Sequence, residues 1–152
     1  MPVTSKFVAL KNYIPTGLPK ETDFEIKTKE ISLDTKNNIL VLNLWISVDP
    51  YMRARMTERK NYKPPFNIGE EMEGYALGIV KESKDKNFKE GDIVFSNFGM
   101  RDYFVCNSND LKKIEPMNIP IQTYLGPLGM TGHTAYIAVS YTHLTLPTRD
   151  DV

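Results

Sequence analysis

The sequence is poor in the residues that usually announce a chemistry. It holds one cysteine, Cys106, and two histidines, His133 and His143, in 152 residues. One cysteine excludes an intrachain disulfide and fits a reducing compartment. Zinc takes three or four Cys, His or carboxylate ligands in a cluster. These three residues stand at no ligand spacing, so no metal site is expected. No apolar run approaches the roughly 18 residues of a membrane helix, and the opening Met-Pro-Val-Thr-Ser-Lys has no signal-peptide core. A cytoplasmic protein with no membrane partner is expected. Excess charge of one sign is also missing, with 19 basic against 19 acidic residues. That gives no reason to expect a nucleic-acid partner. Neither a G-x-G-x-x-G nor a G-x-x-x-x-G-K-[ST] phosphate loop is present.

What is there reads as one soluble, mainly β domain. Hydrophobic content of 41% and charged content of 25% are ordinary for a globular protein. Proline and glycine punctuate short β-rich segments. Strands are expected at Lys6 to Leu10, Phe24 to Thr28, Ile39 to Val48, Glu73 to Glu82, Asp92 to Phe98, Arg101 to Cys106 and Leu111 to Ile114. The Ile39 to Val48 run is nearly all apolar and suits a buried central strand, with Trp45 in the core. Helical signals are few. Asp49 as N-cap before Pro50 opens one or two turns over Tyr51 to Met56. Further helix is expected from Ile119 to Tyr124 and from Thr131 to Val139. Many short strands with little helix suggest a barrel or sandwich.

Tyr51 is the strongest catalytic candidate. A phenol beside a kinked Asp-Pro turn can donate a hydrogen bond to a developing oxyanion. The competing reading is a core tyrosine with its hydroxyl at the surface. Tyr75, just past Gly74, faces a pocket or simply packs. Arg53 reads as structural, four residues after Asp49 and placed to pair with it. Cys106 reads as a small buried hydrophobe. Gly126, Gly129 and Gly132 are spaced by three, which fits a tight turn as well as a ligand loop. His133 reads as a turn or surface residue.

Several segments together resemble the zinc-free branch of the medium-chain dehydrogenase/reductase superfamily. Gly91-Asp92-Ile93-Val94 looks like its Gly-Asp-x-Val turn. Gly69-Glu70-Glu71-Met72-Glu73-Gly74 looks like its Gly-His-Glu-x-x-Gly motif, with Glu70 where zinc members place a ligand histidine. Within that branch, Val48-Asp49-Pro50-Tyr51-Met52-Arg53 and Leu128-Gly129-Met130-Thr131-Gly132-His133-Thr134-Ala135-Tyr136 resemble the leukotriene B4 12-hydroxydehydrogenase, prostaglandin reductase and 2-alkenal reductase group. Lys60-Asn61-Tyr62-Lys63-Pro64-Pro65 keeps the second half of a Ser-x-x-Tyr-x-Pro-Pro pattern of bacterial members. Thr131 stands where the family usually has proline. The resemblance runs over about residues 6 to 138.

The resemblance implies a GroES-like, partly open β-barrel, followed in the family by a Rossmann domain. It implies NADPH-dependent reduction of the C=C bond of α,β-unsaturated aldehydes and ketones. Tyr51 and Tyr75 would lie at the substrate pocket, and Met130 and Thr134 near the nicotinamide end of the cofactor. Family homo-oligomers form largely through the missing domain. Residues 1–138 are then the substrate domain, ending at the hinge. Residues 139–152 depart from the family and read as a non-native or disordered tail. Such a chain is expected to be inactive alone, with an apolar surface near Tyr124 to Ile137 open to association. The alternative is a non-enzymatic, stand-alone GroES-like binding or scaffold module.

Overall fold

The computed structural model describes residues 2–36, 38–59, 61–115 and 117–145. Lys60 and the tail from 146 onward therefore lie outside the described residues. The chain divides into two compact units, Met1–Met117 and Asn118–Val152.

The first unit is built from antiparallel strands. β1 (Val3–Leu10) and β2 (Phe24–Ile31) form a two-stranded sheet in register from Val3↔Ile31 to Leu10↔Phe24. A five-stranded sheet follows from β3 (Ile39–Ile46), β4 (Ala76–Ser83), β5 (Ile93–Ser96), β6 (Tyr103–Cys106) and β7 (Lys112–Ile114), in the order β6-β3-β4-β5-β7. Neither sheet closes on itself. They are joined where Val8 N–H donates to the Met100 carbonyl at 2.8 Å and Asp102 N–H to the Lys6 carbonyl at 3.0 Å. This is the mainly β, partly open architecture expected of a GroES-like domain.

Two apolar clusters hold the unit. Ile39, Val41, Val80, Val94, Phe104 and Cys106 pack on the larger sheet. Alternation along β6 turns Phe104 and Cys106 inward and leaves Tyr103 and Val105 half-buried. The second cluster, Leu10, Ile14, Met52, Met56, Phe66 and Met72, lies under the short helix α1 (Tyr51–Arg55). Gly91, at φ +89°, makes the turn into β5, a conformation that favours glycine.

Three expectations need correction. Trp45 is not core but 48% exposed, with Leu44 and Ile46 exposed beside it. The pairing of β3 with β4 slips at Leu40/Val41 and again between Asn43 and Trp45. These bulges break the inward alternation of an otherwise apolar strand. Asp49 does not cap α1 with its side chain. Pro50 is the N-cap, without a side-chain bond. Arg53 does not pair with Asp49. Its Nε and Nη2 donate to the Gly17 carbonyl at 3.1 and 2.9 Å, so it still fixes a loop, through a different partner.

In the second unit a 3-10 helix spans Ile121–Leu125 and α2 spans Met130–Thr145. α2 starts one residue earlier and runs six residues further than the expected Thr131 to Val139.

Candidate active site

The site is assembled from α1, the start of β4 and the segment between them. Met52 N–H donates to the Asp49 carbonyl at 3.0 Å and Arg53 N–H to the Pro50 carbonyl at 3.1 Å, so the Asp-Pro turn sets the direction of Tyr51. Tyr75 directly precedes β4, and its carbonyl accepts from Ser47 N–H at 2.8 Å at the end of β3. The two tyrosine rings meet with centroids 6.1 Å apart and planes tilted by 59°. Phe95 on β5 stacks on Tyr75 at 5.4 Å.

Gly74, next to Tyr75, leaves room for the Met52 side chain. A Cβ there would meet the Met52 methyl group at 2.5 Å. Gly99 abuts the Gly74 backbone in turn, its N–H donating to the Gly74 carbonyl at 2.8 Å. The glycine contact lets the two loops close behind the tyrosines.

The electrostatics favour neutral phenols. Burial pushes the Tyr51 hydroxyl up to about 12, helped by the Tyr75 phenol and the Asp49 carboxylate. Burial and Asp49 raise Tyr75 in the same direction, with a contribution from Tyr62. The Tyr51 hydroxyl and Asp49 Oδ2 are both buried, and neither has a hydrogen-bond partner among the described residues. A buried phenol with its proton held on and no acceptor of its own has a hydrogen bond free to donate.

Two cations complete the site, and neither was singled out from the sequence. Arg55 is only 5% exposed. Its Nη1 lies 2.8 Å from Glu73 Oε2, its Nε donates to the Pro64 carbonyl at 2.8 Å, and its guanidinium stacks 4.1 Å from the Phe66 ring centroid. Lys63 Nζ lies 5.0 Å from the Tyr51 ring centroid and 5.7 Å from that of Tyr75. The only signal for either was proximity to Pro64-Pro65, which brings the segment back over α1. Beside the site, Val48, Asp49, Met52, Arg53 and Met56 line an apolar cleft of about 350 Å³ with Met72 and Met100.

The other candidates lie apart from this chemistry. Cys106 is buried, and burial, aided by Asp110, pushes its thiol up to about 12. That leaves it a poor nucleophile. Glu70 accepts a hydrogen bond from Asn67 Nδ2 at 2.6 Å on the surface. Among the described residues no group of three or more His, Cys, Asp or Glu could hold a metal ion, and no helix is long and apolar enough to cross a membrane. Met130 and Thr134 belong to the second unit, four residues apart and thus on one side of α2. Met130 is 57% exposed, and Thr134 and His133 are also exposed.

A family profile described as the N-terminal domain of oxidoreductase matches residues 6–114. The chain belongs to this family. It is 42% identical over 139 residues to the NADP(+)-dependent 2-alkenal reductase of Nicotiana tabacum, covering 88% of this chain and 40% of that protein. It is 32% identical over 140 residues to prostaglandin reductase 1 of Rattus norvegicus, covering 90% and 40%. The crystal structure of CurA in complex with NADPH from Vibrio vulnificus matches with a TM-score of 0.78 at 29% identity, covering 88% of this chain and 40% of that one. The resemblance read from the motifs therefore holds for the family and its reductase relatives. The chain spans about two fifths of the length of the relatives it matches.

Proposed function

We propose that this chain is the substrate domain of an NADPH-dependent reductase acting on the C=C bond of α,β-unsaturated aldehydes and ketones. The observation that carries the reading is the Tyr51 hydroxyl, buried, held neutral and without an acceptor of its own. The names of the alkenal and prostaglandin reductase relatives support the substrate class.

When bound, NADPH supplies a hydride to the β-carbon of the substrate. The double-bond electrons then move toward the carbonyl carbon, and negative charge collects on its oxygen as an enolate. Tyr51 donates its O–H hydrogen bond to that oxygen, more strongly in the enolate than in the ground-state carbonyl, which is the condition for accelerating the step. A solvent proton on the α-carbon completes the reduction. Tyr75, stacked on Phe95, holds the Tyr51 ring in place and presents an aromatic face to the conjugated substrate. The apolar cleft beside α1 suits a hydrocarbon tail.

Only the nicotinamide end of the cofactor has candidate residues in this chain, and they come from the family resemblance. Met130 and Thr134 would hold the nicotinamide end. The described residues include no glycine-rich phosphate loop, so the 152 residues on their own are proposed to be inactive. A chimera tests this, with residues 1–138 replacing the corresponding domain of the tobacco relative. The chimera is expected to oxidise NADPH when given a 2-alkenal, and the isolated chain is not. A folded chimera without alkenal- or enone-dependent turnover would overturn the reading and favour a binding module.

A further inference from the structure

We propose that Lys63 supplies the positive charge that makes the Tyr51 site prefer an anionic ligand oxygen over a neutral one. The inference rests on the enolate reading above and extends it to a residue for which that reading has no role. Three observations carry it.

The first is placement. Lys63 Nζ lies within 6 Å of both tyrosine ring centroids, at 5.0 and 5.7 Å, the range in which a cation is attracted to an aromatic face. The second is that the position is built rather than incidental. Arg55 donates to the carbonyl of Pro64, the next residue, at 2.8 Å. Phe66 N–H donates to the Arg55 carbonyl at 2.8 Å, and its ring stacks on the Arg55 guanidinium. Two prolines stiffen the segment between these anchors. The third is charge. Arg55, whose charge works against the rise of the Tyr51 phenol, is already paired with Glu73, whereas no carboxylate lies within ion-pair distance of Lys63 among the described residues. The half-buried Lys63 ammonium is thus the site cation with its charge left over. Asp49 opposes it, and the two together define what the site tolerates. Asp49 disfavours a resting anion, and Lys63 offsets that penalty once negative charge develops beside the Tyr51 hydroxyl.

The test uses 4-nitrophenol, which titrates near neutral pH and changes colour when it ionises. Its anion is a flat, conjugated oxyanion that stands in for the enolate. Binding of the phenol and the phenolate to the 152-residue chain is measured on either side of the probe's own titration, with Lys63→Met, Lys63→Arg and Tyr51→Phe beside the unsubstituted chain. Lys63→Met is expected to weaken phenolate binding about tenfold, below the roughly hundredfold of two charges about 6 Å apart at an effective dielectric of about 20, because solvent screens a half-exposed ammonium. Phenol binding should stay within about twofold. Lys63→Arg should keep the preference, and added salt should shrink it. Tyr51→Phe should weaken both forms. Equal phenolate binding by the chain and by Lys63→Met, while Tyr51→Phe still weakens both forms, would sink the role of Lys63 and leave the Tyr51 site standing. No effect of any substitution would sink both. Failure of the unsubstituted chain to bind the phenolate would also overturn the proposal for Lys63, and the chimera would then judge the enone-reductase reading independently.

Discussion

The Tyr51 and Tyr75 rings lie 6.1 Å apart, and both phenols are held in their neutral form by burial and by the carboxylate of Asp49. A buried hydroxyl without an acceptor costs roughly 1–3 kcal/mol of folding free energy. Tyr51→Phe removes that hydroxyl and keeps the ring. The variant is therefore expected to be more stable than the parent by about 1 kcal/mol, read as a higher urea midpoint at neutral pH. A variant clearly less stable than the parent would mean that the hydroxyl is satisfied within the fold.

The same phenol sets an alkaline limit. Its folded value of about 12 lies above the ordinary 10.0, so folding favours the protonated form. That contribution is complete below pH 10 and is lost as the pH rises through about 12. Urea midpoints measured across this window should fall more steeply for the parent than for Tyr51→Phe. Parallel curves would contradict the shift.

At the acid end the group to follow is Glu71. Burial alone would raise its carboxyl, but the Lys29 ammonium bonded to it and the nearby Arg101 guanidinium outweigh burial and hold it low. Its contribution is present above the ordinary carboxylate value and is lost as the pH falls through the lowered one. Glu71→Gln should cost roughly 1–2 kcal/mol at neutral pH. The gap between parent and variant should close in acid. A gap that widens in acid would reverse the assignment.

Behind the tyrosines, Gly99 and Gly74 pass backbone against backbone. A Cβ on Gly99 would lie 2.7 Å from the Gly74 carbonyl oxygen, which no side-chain movement relieves. Gly99→Ala is expected to cost about 2 kcal/mol or more and to disturb the aromatic near-ultraviolet signal of Tyr75. A variant with parental stability would show that the loops have room to part.

How much of this was legible beforehand depended on range. The strands were marked by local β-rich runs between prolines and glycines, and all seven expected strands exist with shifted ends. The exposure of Trp45 is not legible locally, because the bulges in β3 are set by its pairing with β4. The partner of Arg53 is not legible locally either, because Gly17, 36 residues away, reaches it only through the fold. Tyr51 stood out by its Asp-Pro turn. Lys63 did not, because what brings it over the rings is the clamp of Arg55 on Pro64 and Phe66, a tertiary contact. The motifs of the family marked the tyrosines, but not the charges around them.

The second unit carries an association prediction. Along α2, Met130, Tyr136, Ile137, Val139 and Tyr141 are exposed, and Leu128 is exposed just before it. Apolar exposure of this kind invites contact. Light scattering of the 152-residue chain should report concentration-dependent association, reduced by Tyr136→Ser together with Ile137→Ser. A monomer at every concentration would contradict it.

In the proposed NADPH-dependent C=C reduction the Tyr51 hydroxyl stabilises the enolate. The most direct test of that role is 2-alkenal-dependent NADPH oxidation by the tobacco chimera carrying Tyr51 or Tyr51→Phe. Loss of one oxyanion donor is expected to lower kcat about 100-fold with little change in KM. Equal kcat in two folded, NADPH-binding chimeras would contradict that role.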